Sequence, residues 1–212
     1  MLIATQRLVL RRFRVVDAPV LAAYRSEPEV ARYQSWDAPF PLLRAETAVA
    51  NFIASDPDRA GWFQYAIERA EDRALIGDVA VHLHDNRRQA EIGFTLASAY
   101  QKRGYATEAV RAVLDRLFRV QGLHKVAGEC DARNKASAGL FERLGFTREG
   151  LLRQQTFIKG EWTDDLIYGL LAEEWIMRDA KRQGPQKSRG PEKSRGPEKG
   201  RGHRKSQGAE KS

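Results

Sequence analysis

Cysteine is nearly absent: the 212 residues hold one, Cys130, so no disulfide can form within the chain. The four histidines add no Cys/His cluster with zinc-like spacing. No apolar run approaches the roughly 18–20 residues needed to cross a bilayer. The opening MLIATQRLVLRRF lacks the basic start and apolar core of a secretory leader. These absences lead to the expectation of a cytoplasmic protein with no membrane contact. Neither G-x-x-x-x-G-K-[ST] nor G-x-G-x-x-G occurs, which excludes a P-loop and the dinucleotide fingerprint.

Excess charge is also missing from most of the chain. The net charge is +8, but residues 181–212 hold 11 Lys/Arg against 3 Asp/Glu, leaving 25 of each sign in 1–180. The high pI therefore belongs to the tail and does not mark a nucleic-acid-binding domain. The tail repeats with period six (GPQKSR, GPEKSR, GPEKGR) and holds no apolar residue beyond Ala209. Such a segment cannot offset its ordering entropy, so 181–212 is expected to be disordered. It reads as a solubilising extension, or as a weak, salt-sensitive contact with RNA, the ribosome or another polyanion.

What is present in 1–180 is the pattern of one mixed α/β domain. Residues 5–13 alternate like a strand. Asp17 is placed to N-cap a helix through Ser26, and 44–54 carries one apolar helical face. Runs 62–69 and 75–83 predict a hairpin turning at Glu71-Asp72. Strand 91–96 precedes the strongest helix, 106–120, whose apolar residues recur at i, i+3, i+4 and i+7. Strand 125–130 follows, then a helix N-capped by Asn134 and stopped by Gly145. A last hairpin, 147–158 and 162–171, turns at Lys159-Gly160.

The most informative stretch is YQKRGYATEAV, residues 100–110. The first N–H groups of a helix lack intrahelical partners, and the helix dipole adds positive charge there. Gly104 and the small Ala106 let an anion approach, and Lys102 and Arg103 add charge beside it. This is a seat for a phosphate or pyrophosphate.

Gln101-x-x-Gly104-x-Ala106, between a strand and a long helix, resembles the Q/R-x-x-G-x-G/A motif of the GCN5-related N-acetyltransferases (GNAT). CDARNKASAGLFERLGF (130–146) is similar to the family's next strand, its Asn-x-x-Ser helix and Gly-Phe. AEIGFTL, LGFTREG and KGEWTDDLIYGLLAEEW resemble the RimJ/RimL-like branch, which acetylates N-termini of ribosomal proteins and includes polyamine- and drug-modifying relatives. The resemblance covers residues 5–176. It implies an α/β (α+β) GNAT fold: a mixed, mostly antiparallel sheet of about seven strands, splayed at the acetyl-CoA site and flanked by helices. Acetyl-CoA is then the co-substrate, with no metal expected.

The resemblance implies roles residue by residue. The N–H groups of 103–107, with Gln101, Lys102, Arg103, Gly104, Tyr105, Ala106 and Thr107, would hold the pyrophosphate. The pantetheine arm would run along Phe94, Thr95 and Leu96 as an added strand, with Asn134 hydrogen-bonded to it and Phe141 against it. An N–H near Phe94–Thr95 would polarise the thioester carbonyl. Glu91 is the candidate base, and Ser137 the candidate donor to the departing sulfur. Where relatives often use Tyr, this chain has Gly139 and Phe141, which favours Ser137 or a water. Tyr33, Trp36, His82 and Trp162 are candidate acceptor contacts. His82 and His84 share a strand face, but no carboxylate or Cys lies at ligand spacing in the sequence. The acceptor is expected to be a protein N-terminal amine. The alternatives are a small amine (polyamine, aminoglycoside or amino-acid derivative) or a non-catalytic acyl-CoA-binding role. Either a monomer or a homodimer is compatible with the sequence.

Overall fold

The computed structural model describes residues 3–183, so the tail from 184 onward lies outside the described residues. The chain opens on two short strands, β1 (Ile3–Ala4) and β2 (Leu8–Arg11). One strand over 5–13 was the expectation. A turn replaces its start, because the Thr5 N–H donates to Leu8 O at 2.9 Å and the Leu8 N–H donates back to the Thr5 hydroxyl at 3.0 Å. A Thr side chain that bonds the backbone three residues on competes with extended pairing.

Three helices follow: α1 (Ala18–Arg25), α2 (Pro28–Ala31) and α3 (Leu42–Ala54). Asp17 precedes α1 but makes no side-chain cap. Its carboxylate is buried and held by Arg11 at 2.7 and 2.9 Å and by the Arg14 N–H at 2.7 Å. Then come β3 (Gly61–Arg69), β4 (Leu75–Leu83) and β5 (Gln89–Leu96). Helix α4 (Tyr105–Asp115) gives way to a π turn over Arg116–Val120, where a single α-helix to 120 was expected. The remaining elements are β6 (Lys125–Asp131), α5 (Lys135–Leu144), β7 (Thr147–Ile158), β8 (Glu161–Leu171) and α6 (Ala172–Gln183).

The eight strands form one sheet in the order β1-β2-β3-β4-β5-β6-β8-β7. All neighbours are antiparallel except β5 and β6. Parallel neighbours need a crossover, and α4 with its π turn supplies it. One sheet face carries Leu8, Leu10, Ile67, Val79, Ile92 and Val126, which pack under α4, α5 and Trp175 of α6. The other carries Ala66 beneath α1 and α3, where Leu21, Tyr24 and Val49 close a second cluster. The eighth strand beyond the expected seven is the two-residue β1.

Pairing between β5 and β6 is short. It joins Gln89–Ile92 to Lys125–Gly128 and goes no further. At that point Phe141 of α5 lies directly over Gly128, so that an added Cβ would collide with its ring. The ring cannot retreat. It is 1% exposed, stacked on Tyr168 at 5.1 Å and set edge-on to Phe94 at 5.5 Å and Phe146 at 5.0 Å. Gly128→Ala is therefore expected to destabilise the domain by about 1–3 kcal/mol in denaturant unfolding, through overpacking. Adding Phe141→Leu should recover part of that loss.

Candidate functional site

Past Ile92, β5 stays with β4 as far as the Leu96–Gly77 pair. Past Gly128, β6 stays with β8 as far as Asp131–Asp165. The two strands part, and a cleft of about 720 Å³ opens between them. Phe94, Thr95 and Leu96 line one wall, and Asn134, Ser137 and Leu140 the other. A smaller cavity of about 180 Å³ shares Tyr33, Phe94, Thr95, Asn134 and Ser137 with the cleft and adds Asp78, Glu129 and Cys130. The two spaces thus meet at Thr95 and Ser137. Asn134 caps α5 as its residue type predicts, accepting from the Ser137 N–H at 3.1 Å.

The cleft ends at the start of α4. Gly104 is the N-cap residue, with φ +82°, a left-handed conformation that residues with a Cβ adopt at a cost. It offers no side chain to cap the helix, so the first N–H groups of α4 remain open where Gly104, Ala106 and Thr107 line the cleft. Lys102, Arg32 and Arg143 also line it. The arrangement suits a polyanion. Gln101 lines the cleft too, but its side chain donates to Leu96 O at 2.9 Å and ties the loop to the end of β5. Arg103 is not among the lining residues; its carbonyl accepts from Arg7 at 3.1 Å.

Arg7 holds this loop from the side. Its guanidinium lies 4.5 Å over the Tyr105 ring and 2.7 Å from the Glu108 carboxylate. Glu108 also accepts from the Thr5 hydroxyl at 2.6 Å and the Arg7 N–H at 2.9 Å. Burial alone would raise the Glu108 carboxyl, but these hydrogen bonds outweigh it and hold the pKa below the ordinary carboxylate value. A first-turn carboxylate is thereby turned away from the anion seat and neutralised. The sequence offered no sign of this pairing, which spans about 100 residues.

The opposite sheet face holds the acidic groups. Asp78 is 1% exposed and accepts from the Tyr24 hydroxyl and from Gln64 Nε2 at 2.5 Å. Asp131 is held low chiefly by its hydrogen bonds to Arg133, at 2.7 to 3.2 Å. Asp165 accepts from the Thr156 hydroxyl at 2.6 Å. Glu129 differs from these: it stands where β6 has left β5, its side chain is exposed, and its carboxyl is pushed up, first by partial desolvation, then by the charges of Asp165 and Glu91. The Cys130 thiol is pushed up to about 11, first by burial and then by Asp131, Asp165 and Glu129, so it stays protonated at neutral pH.

The remaining sequence candidates divide. Tyr33 lines both spaces. Trp36 reaches the smaller cavity, but it is 9% exposed, sits 4.4 Å from the Arg25 guanidinium and donates to Arg25 O at 3.1 Å, so it anchors its loop. Glu91 lies where β5 and β6 are still paired, outside both spaces, and its carboxylate is 3.1 Å from His84 Nε2. His82 stacks on Trp62 at 4.8 Å, also outside both. Trp162 is 60% exposed near the tip of the β7–β8 hairpin, against Phe157.

A sequence profile described as Acetyltransferase (GNAT) domain matches residues 7–147. The chain belongs to the GNAT acetyltransferase family. It is an acetyl-CoA-dependent N-acetyltransferase. The "Uncharacterized N-acetyltransferase YnaD" of Bacillus subtilis is 32% identical over 173 residues, covering 82% of this chain and 98% of that protein. The "[Ribosomal protein uS5]-alanine N-acetyltransferase" of Escherichia coli is 24% identical over 183 residues, covering 82% and 92%. A solved GNAT-family acetyltransferase from Bacillus anthracis superposes with a TM-score of 0.75 at 26% identity, covering 82% of this chain and all of that one. The GNAT resemblance of 101–106 and 130–146 is thus upheld at the level of family and fold.

Arg7 and Glu108 give a prediction specific to this chain. Arg7→Ala should weaken CoA binding by roughly 2- to 5-fold, because a partly exposed ion pair is lost, the Arg103 carbonyl loses its donor and the Glu108 charge is no longer balanced. Glu108→Gln added to it should recover most of the affinity. Isothermal calorimetry with CoA reads both steps.

Proposed function

We infer that this GNAT enzyme takes acetyl-CoA in the 720 Å³ cleft and a protein N-terminal amine from the acidic sheet face. The observation carrying the reading is the parting of β5 and β6, because it joins an uncapped helix start, a free strand edge and a carboxylate-lined cavity. The residues fit the donor. The cleft volume falls in the ~300–1,000 Å³ range of small-molecule sites. Its cationic end matches a pyrophosphate, and residues 93–96 offer the β6-facing backbone edge that an extended amide arm can pair with. Acetyl-CoA supplies the activated acyl group.

Within this proposal each side chain has a task. The open N–H groups at 105–107, with Lys102, hold the phosphates. The backbone of Phe94–Thr95 orients the thioester carbonyl and stabilises its developing charge. Asn134 lines the cleft and directs its amide toward the pantetheine, while Phe141 stiffens the wall from beneath. Glu129 replaces Glu91 as the base, because it borders the cavity that meets the cleft at Ser137 and Thr95, whereas Glu91 is engaged with His84. It accepts the proton that the amine loses on attack. Ser137 donates to the departing sulfur.

The acceptor reading rests on proton chemistry and on one relative. An α-amine with a pKa of roughly 7.7–8.0 is partly neutral at pH 7, so a single raised carboxylate suffices. A lysine near 10.4 demands about 2.5 units more. The Escherichia coli relative is named for an N-terminal alanine of a ribosomal protein. A small polyamine is the second reading, favoured by the Glu129 and Asp165 carboxylates on the acceptor face.

Thiol release from acetyl-CoA, followed over N-terminal peptides, polyamines and aminoglycosides, tests the acceptor. Peptides with a free α-amine are expected to be turned over, and the same peptides N-acetylated are not. Turnover of polyamines alone would select the second reading. For the base, the rate should rise with pH as Glu129 loses its proton, at a pH above the ordinary carboxylate value of 4.5. Glu129→Gln is expected to remove that limb and lower kcat by about 100-fold. An unaltered pH–rate profile would remove Glu129 from the mechanism.

A further inference from the structure

His82, His84 and Glu91 offer one ligand atom each, all within 4.8 Å of one another. Sequence spacing had shown only the two histidines, two residues apart on one strand. The carboxylate comes from the neighbouring strand, since His82 of β4 pairs in register with Glu91 of β5. We propose that these three side chains form a site for a zinc-class divalent ion, on the acidic face but outside the cleft.

The chemistry of the set selects the ion. Two imidazoles and one carboxylate suit zinc, cobalt, nickel or copper, and disfavour calcium and magnesium, which take all-oxygen sites. Tetrahedral bonds of ~2.0–2.1 Å set ligand atoms about 3.4 Å apart. His84 Nε2 and Glu91 Oε1 are already 3.1 Å apart. The widest gap, 4.8 Å at most, closes by about 1.4 Å, within the reach of a side-chain rotation.

The frame is rigid where the ligands stand. The β4–β5 ladder runs without a register shift from Gly77–Leu96 to Leu83–Ala90. Beyond it the His84 N–H donates to Gln89 O at 3.0 Å, which fixes the hairpin end that carries the second imidazole. Trp62 of β3 stacks on the His82 ring at 4.8 Å with 20° between planes, holding its orientation. The stack limits the orientations that the His82 ring can take. With three protein ligands, one coordination position faces solvent for water or a donor group of an incoming molecule. Glu91 stands four residues before Thr95, about 13 Å along the strand. The ion therefore braces β4 to β5 without touching the cleft.

The test uses the full chain, free of affinity tags, with zinc sulfate alone in calorimetry and cobalt chloride alone in visible spectroscopy. One equivalent of zinc should bind, cobalt should give the strong d–d absorption of a tetrahedral site, and zinc should raise Tm. His84→Ala and Glu91→Gln should each weaken zinc by roughly 10-fold or more and abolish the cobalt band, with CoA affinity unchanged. His82→Asn serves if His84→Ala fails to fold. No binding to the wild-type chain overturns the proposal. So does binding that survives both ligand substitutions, which would place the ion at Cys130, His124 or the tail histidine.

Discussion

Everything in this domain depends on where β5 and β6 stop pairing. Up to Ile92 and Gly128 the sheet is continuous. Beyond them each strand keeps only its outer partner, β4 for one and β8 for the other. Phe141 over Gly128 marks the place, and the aromatic cluster of Phe94, Phe146 and Tyr168 leaves it no room to move. A buried backbone edge without a partner is costly in an ordinary sheet. Here that edge borders a cleft, and in the proposed reading the donor's amides complete it.

Charge is divided across the same opening. The cleft gathers Lys102, Arg32, Arg143 and the start of α4, while Arg7 removes the one first-turn carboxylate from the balance. The other sheet face gathers Asp78, Glu129, Asp131 and Asp165, most of them already paired. A neutral domain by formal count thus presents a cationic cleft and an acidic cavity that meet at Thr95 and Ser137. Net charge could not reveal this, because the two fields cancel in any sum.

Local features were the legible ones. The motif at 101–106 and the Asn134 cap depend on residues near in sequence, and they point to the family from the sequence alone. The turn at Thr5 is not legible in the alternation, because the Thr5 hydroxyl bonds the Leu8 backbone and overrides the strand pattern. Asp17 was misread as a helix cap because Arg11, six residues away, claims its carboxylate. Arg7–Glu108 depends on how α4 packs beside the β1–β2 turn, while the meeting of Glu129 with Asp165 and the approach of Glu91 to two histidines depend on strand register. Register is set by the whole sheet, and no short window of sequence contains it.

The central claim is that the free edge of β5 and the open start of α4 together receive the donor. Backbone amide NMR of the full chain, titrated with CoA, tests it directly. The account predicts saturable shifts concentrated at 93–96, 104–107 and 134–137, with the amides of Trp62, His82 and Glu91 unmoved. Saturable shifts that spare 93–96 and 104–107 would contradict it.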